Sequence, residues 1–144
     1  NSLERVKSLA AISKVELLER LSFYKGDIRN IQLLNKIFLD AEKESEPITG
    51  VIHFAGLKAV AESIKQPLSY WDNNVNGSIC LLKTMQKFSC HTIVFSSSAT
   101  VYGHPKDLPI NEDDEIRPLN PYASTKVCVE TILKNLFVHL KRLS

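Results

Sequence analysis

Apolar residues follow two rhythms along the chain. Ile31, Leu34, Ile37, Phe38 and Ala41 recur at three- and four-residue steps, which predicts an amphipathic helix broken by Pro47 and Gly50. Val51-Ile52-His53-Phe54-Ala55 is a compact, nearly continuous apolar run that closes on Gly56. Such a run suits a strand buried on both faces of a parallel sheet. A long helix is expected after Pro67, with Leu68, Trp71, Val75, Ile79 and Leu82 as its inward stripe and a stop near Ser89. Thr92-Ile93-Val94-Phe95 is a second apolar strand, and it runs into Ser96-Ser97-Ser98. Upstream, residues 3–20 read as a helix of mixed polarity, and Leu21-Ser22-Phe23-Tyr24 as a short strand closed by Gly26-Asp27. Beyond a loop containing Pro105, Pro109 and Pro118, the last helix starts at Asn120-Pro121, an N-cap followed by proline at the first helical position. Its apolar stripe is Val129, Leu133, Leu136 and Leu140, flanked by Ile132 and Phe137.

Strands alternating with helices define an α/β chain with a parallel sheet and right-handed connections. The length, 144 residues, is that of one ordinary domain, and 44% hydrophobic with 24% charged residues excludes disorder, collagen and a disulfide scaffold. A net charge of +2 without a basic stripe argues against nucleic-acid and anionic-membrane partners. The run Glu112-Asp113-Asp114-Glu115 reads as a solvated loop. Cys80, Cys90 and Cys128 are odd in number and unpaired in spacing, so they read as reduced, mostly buried thiols of a cytoplasmic protein. His53, His91, His104 and His139 lack ligand spacing, and no metal is expected. No stretch is apolar and long enough to span a bilayer, and no signal-peptide core opens the chain. The five glycines, Gly26, Gly50, Gly56, Gly77 and Gly103, are too scattered for a Walker loop or a dinucleotide fingerprint. With Met85 the only methionine and Asn1 at the start, the chain reads as a processed product or a fragment.

In parallel α/β sheets, ligands bind off the carboxyl ends of strands. Two such ends stand out. Small residues in Phe54-Ala55-Gly56-Leu57-Lys58 let a ligand approach the backbone, although a tight strand-to-helix turn needs the same residues. The hydroxyls of Ser96-Ser97-Ser98-Ala99-Thr100 can bond a ligand or cap their own loop. The last helix adds a sharper feature. Its stripe, projected back by three and four residues, meets Lys126 and then Tyr122 on the buried face. A lysine there must be paired, snorkelled or used. Held near a phenol, its charge favours the phenolate and makes Tyr122 a plausible general base. Ser98, Tyr122 and Lys126 together suit hydride transfer at a carbinol carbon with a nicotinamide cofactor.

These residues resemble the extended short-chain dehydrogenase/reductase superfamily, and within it the UDP-glucose 4-epimerase family. The matching segments occur in order: Gly26-Asp27-Ile28-Arg29-Asn30, Val51 through Val60, Asp72-Asn73-Asn74-Val75-Asn76-Gly77, Phe95 through Gly103, and Asn120-Pro121-Tyr122 with Lys126. The tyrosine–lysine pair belongs to the superfamily at large, whereas FAGLKAV and SSSATVYG are similar to the epimerases in particular. The resemblance implies a partial Rossmann-like, doubly wound parallel sheet: residues 1–144 would be the middle of an NAD-binding domain, without its first β-α-β unit and the C-terminal substrate domain. It implies NAD as cofactor, with Asp27 and Ile28 beside the adenine. Phe54, Ala55, Gly56, Leu57 and Lys58 would lie along the phosphates and ribose, with Asn73 as a further contact and Asn1 and Ser2 near the adenosine ribose. Ser98, Ala99, Thr100 and Tyr122 would touch the sugar.

The implied reaction inverts C4 of UDP-glucose and UDP-galactose. Tyr122 would take the 4-hydroxyl proton while C4 gives hydride to NAD⁺, and the 4-keto sugar would turn and receive hydride on its other face. Ser98 would bond the sugar oxygen, and Lys126 would hold the nicotinamide ribose and keep the phenolate accessible. The complete protein would be a homodimer. Ala123-Ser124-Thr125 and Ala61 depart from common family residues, away from the implied chemistry. In the implied strand order, 3-2-1-4-5-6, two absent strands fall between the first and second strands of this chain. The isolated 144 residues are therefore expected to bind NAD poorly and to lack epimerase activity. The other readings are an epimerase of another UDP-sugar, such as a UDP-N-acetylhexosamine or UDP-pentose, and a non-catalytic truncated module.

Overall fold

The computed structural model describes residues 2–13, 21–105 and 107–143. In chain order its elements are α1 (Ser2–Ser13), α2 (Ile31–Lys43), β1 (Gly50–His53), α3 (Val60–Lys65) and α4 (Pro67–Tyr70). A π-helical turn, Trp71–Asn76, leads into α5 (Gly77–Lys87), followed by β2 (Thr92–Phe95), a 3-10 turn (Ala99–Tyr102) and α6 (Pro121–Leu143). β1 and β2 are parallel neighbours, in register from Gly50 opposite Thr92 to His53 opposite Phe95. The helices from α3 to α5 form the crossover between them, so the α/β class expected from the alternating pattern holds.

Capping chemistry sets the helix ends. The Asn30 side chain accepts the Leu33 N–H at 3.0 Å and opens α2. Asn120 does the same for α6, taking the Ala123 N–H at 2.8 Å. α2 ends before Pro47. Ser45 turns left-handed (φ 60°), and the Glu46 N–H reaches back to the Ala41 carbonyl. α5 ends in the same way, with Ser89 at φ 53° and the Cys90 N–H on the Met85 carbonyl. A serine rather than a glycine fills the left-handed position at both ends.

The core lies between α2, α5 and one face of the strand pair. Phe38, Leu81, Met85 and Cys90 are buried there, with Leu34, Ile48, Val51, Phe88 and Ile93 packed against them. The other strand face is open. Ile52 and Val94 face each other in register and are 66% and 59% exposed, so the expected burial of both faces is wrong. All described helical packing lies on the side of Val51 and His53, and period-two alternation turns Ile52 away from it.

Two further expectations are corrected. Residues 21–27 form no strand, because a strand needs a ladder partner and none of the described residues supplies one. Instead the Tyr24 hydroxyl donates to Asp40 on α2 at 3.2 Å. Of the helix expected over residues 3–20, Ser2–Ser13 is helical, and residues 14–20 lie outside the described ones. In the long helical stretch the buried positions are Tyr70, Asn74, Gly77, Ser78, Leu81, Thr84 and Met85, while Leu68 is 81% exposed. The expected stripe of Leu68, Trp71, Val75, Ile79 and Leu82 lies beside that face. The true face carries hydroxyl and amide side chains that bond backbone carbonyls of their own helix and groups on other elements, and apolar periodicity does not reveal them.

Candidate active site at the strand ends

Parallel pairing brings the carboxyl ends of β1 and β2 side by side, and the Ser96 N–H adds a last rung to the His53 carbonyl at 3.1 Å. Both expected ligand segments leave the sheet here. Phe54, Ala55, Gly56 and Lys58 are exposed, and Leu57 is half-buried. The Asn74 carboxamide holds Leu57 at both backbone groups: Oδ1 accepts the Leu57 N–H at 2.7 Å, and Nδ2 donates to the Leu57 carbonyl at 3.0 Å. Nδ2 also donates to Thr125 Oγ1 at 3.1 Å, and that hydroxyl donates to the Tyr122 carbonyl at 2.7 Å. Asn74 therefore ties the post-β1 loop to α6. A Cβ on Gly56 would stand only 3.1 Å from Asn74 Oδ1, so the close approach favours glycine. Sequence reasoning singled out Asn73, which is half-buried beside it, and missed Asn74. A signal existed: Asn74 and Ser78 stand on one helical face with Leu81 and Met85, and polar residues on an apolar face ask for a partner.

Tyr122 and Lys126 are buried together on the first turns of α6, at 9% and 6% exposure, as the stripe required. Lys126 Nζ donates to the Ser96 carbonyl at 2.8 Å. It lies 4.7 Å from the Phe95 ring centroid and 5.9 Å from that of Tyr122. The two rings offer the ammonium their negative faces, while burial pulls the lysine pKa below its ordinary value. Val129, one turn on, is 1% exposed and continues the stripe, whereas Leu136 is 38% exposed. The side chains of Phe137 and Leu140 lie outside the described ones.

Ser98 caps the 3-10 turn. Its Oγ accepts the Thr100 N–H at 3.3 Å and meets Thr100 Oγ1 at 2.9 Å; Ala99 is exposed and Thr100 half-buried. Gly103 closes this turn at φ 63°. The bland reading, hydroxyls that cap their own loop, is thus partly realised, and it holds Ser98 in the turn that packs on α6.

Asp27 is engaged by its neighbour Arg29, through the Arg29 N–H at 2.9 Å and its Nε and Nη2 at 2.9 and 2.6 Å. These bonds hold the Asp27 carboxyl down at a pKa of about 2. Arg29 Nη1 also meets Asp72 at 2.5 Å, which links the Asp27–Ile28 segment to the π turn carrying Asn73. Ile28 is half-buried, with its Cγ2 where a Cβ on Gly77 would fall. Asn1 and the side chain of Ser2 lie outside the described residues.

A second phenol, Tyr70, is nearby and almost fully buried. Its hydroxyl lies 2.8 Å from the Ala59 carbonyl and 2.9 Å from a Glu62 carboxylate oxygen. Burial first, and Glu62 next, raise its pKa, which unfits it as a base. Cys80, Cys90 and Cys128 are free thiols. Among the described residues no three metal-binding side chains converge, and no helix is long and apolar enough to cross a membrane.

A parallel α/β scaffold with a tyrosine–lysine pair at its strand ends defines a class, and sequence comparison supplies its name. The chain belongs to the GDP-mannose 4,6 dehydratase family, whose sequence profile matches residues 1–140. Within it, the chain is similar to UDP-glucose 4-epimerase 2 of Arabidopsis thaliana, 46% identical over 135 residues covering 94% of this chain and 36% of that protein. The UDP-glucose 4-epimerase of Haemophilus influenzae is 47% identical over 135 residues, again 93% of this chain and 36% of that protein. Among solved structures, UDP-glucose 4-epimerase from Bifidobacterium longum in complex with NAD+ and UDP superposes with a TM-score of 0.75 at 45% identity, over 81% of this chain and 33% of that one. The chain thus spans about a third of the length of the relatives it matches.

Proposed function

We propose that this chain is the middle part of an NAD-binding Rossmann-like domain, and that the complete protein interconverts UDP-glucose and UDP-galactose by oxidation and re-reduction at sugar C4. The observation that carries this reading is the buried Tyr122–Lys126 pair, anchored to the Ser96 carbonyl at the strand ends, in a chain this similar to UDP-glucose 4-epimerases. The residues fit a nicotinamide dinucleotide. The backbone at Phe54–Gly56 is exposed at the end of β1, Gly56 lies close against the Asn74 amide, and Asp27 is held ionised by Arg29. When bound, NAD supplies the acceptor and donor of hydride. Tyr122 takes the proton of the 4-hydroxyl and returns it to the same oxygen once the 4-keto sugar has turned. Ser98 bonds the same oxygen, and Ala99 and Thr100 border the sugar. Lys126, next to the Tyr122 ring and anchored on the Ser96 carbonyl, would hold the cofactor ribose.

The complete polypeptide is expected to convert UDP-galactose to UDP-glucose with NAD present. Tyr122→Phe, which removes one oxygen, is expected to lower turnover by about 10²–10⁴-fold with UDP-sugar affinity retained. Turnover of the variant within tenfold of the parent would reject Tyr122 as the base. Assay with UDP-N-acetylgalactosamine alongside UDP-galactose decides which sugar is preferred.

A further inference from the structure

The ladder between β1 and β2 ends at the Ser96 N–H, so Ser97 and Ser98 extend past the sheet. Two side chains of α6, one turn apart, reach this overhang. Lys126 donates to the Ser96 carbonyl. Glu130, half-buried on the same helix, accepts the hydroxyl of Ser97. At this spacing the two opposite charges could pair with each other, yet each holds a separate point on the strand end. A hydroxyl donating to a carboxylate is among the stronger neutral-to-charged hydrogen bonds. After Ser97 comes Ser98, whose described side-chain partner is Thr100 within its own turn.

We propose that Glu130 is a positioning residue: acting through Ser97, it fixes the Ser96–Ser98 overhang on α6 and so sets the Ser98 hydroxyl relative to Tyr122. Lys126 alone holds one point, about which the overhang can pivot. Glu130 adds a second point, and the segment then moves only with the helix that carries the proposed base. The role of Ser98 in sugar binding rests on the function proposed above; the clamp does not.

The test uses the complete protein with Ser97→Ala, Glu130→Leu, the double variant and Glu130→Gln, which keeps an oxygen acceptor for Ser97. With UDP-galactose, Ser97→Ala and Glu130→Leu are each expected to lower kcat about tenfold, with KM within about twofold, because small misplacements of reacting groups are costly. The double variant should be no worse than either single one, and Glu130→Gln should stay within about threefold of the parent. A merely structural role would lower the active fraction but leave kcat per active site unchanged. Unchanged kcat, additive losses, or a Glu130→Gln loss equal to that of Glu130→Leu would each overturn the proposal. Ser97→Ala, a one-atom deletion, carries the test should Glu130→Leu not fold. If the parent protein turns over no UDP-sugar, the proposed function fails and the clamp is judged by hydrogen exchange. Amides of Ser97 and Ser98 exchanging about tenfold faster in Ser97→Ala, but not in Glu130→Gln, sustain it; equal rates overturn it.

Discussion

His53 shows how much a single residue can conceal. In the sequence it is one of four histidines without ligand spacing, and in the fold it is buried, with Nε2 2.8 Å from Ser78 Oγ. The Ser78 hydroxyl spends its hydrogen on the Asn74 carbonyl at 2.6 Å, so His53 must donate from Nε2 and its other nitrogen is bare when the ring is neutral. Burial first, and the charge of Lys126 second, push its pKa below the ordinary value of 6.5. The folded state therefore binds fewer protons than the unfolded chain just below that pH, and stability falls as pH drops through it. Unfolding by urea at pH 7 and pH 5 should reveal a loss that is smaller in His53→Gln, which keeps an N–H for Ser78. The Asp27 carboxyl, held at about 2, loses its contribution only below roughly pH 4, outside that window. An equal loss in both proteins would reject the assignment. The Tyr122–Lys126 pair, by contrast, was legible, because its apolar stripe and its four-residue spacing are properties of one helix. Asn74, His53 and Glu130 find partners on other elements, and nothing local marks such partners.

Elements were legible where one rule decides them. The two strands, α2 and the Asn120 cap of α6 follow from apolar runs, period and capping chemistry. α2 ends ahead of Pro47 and α5 ends near Ser89, as expected, but serine, not glycine, takes the left-handed position at each end. That substitution has a cost, since a Cβ disfavours this conformation. Ser89→Gly, at φ 53° and exposed, is expected to stabilise the chain by about 0.5–1 kcal/mol. The midpoint of thermal unfolding should rise by a few degrees, and an unchanged or lower midpoint would contradict the strain. The strand expected at residues 21–24 failed for the opposite reason. Its local pattern was sound, but a ladder needs a neighbour, and a neighbour is a property of the whole sheet.

For the whole molecule, the open face matters most. Ile52 and Val94 adjoin in register, and Phe54 beyond them is 74% exposed. Strands of a parallel sheet are ordinarily covered on both sides. These 144 residues alone are therefore expected to bind an apolar fluorescent dye in the folded state and to bind NAD weakly. Ile52→Thr with Val94→Thr should remove most of the dye signal while leaving the circular dichroism intact; an undiminished signal would place the apolar surface elsewhere.

The π turn Trp71–Asn76 has a consequence for length. It holds one residue more than an α-helical turn would need, and the surplus is absorbed within the turn itself. Deleting Val75 or Asn76 would let the backbone relax to ordinary α geometry with little net rotation, leaving Leu81 and Met85 in the core. The same deletion inside α5, which has no surplus, would rotate everything after it by about 100° and turn Met85 out of the core. Along this helix, then, the fold tolerates a change of residue count more readily at the π turn than in α5.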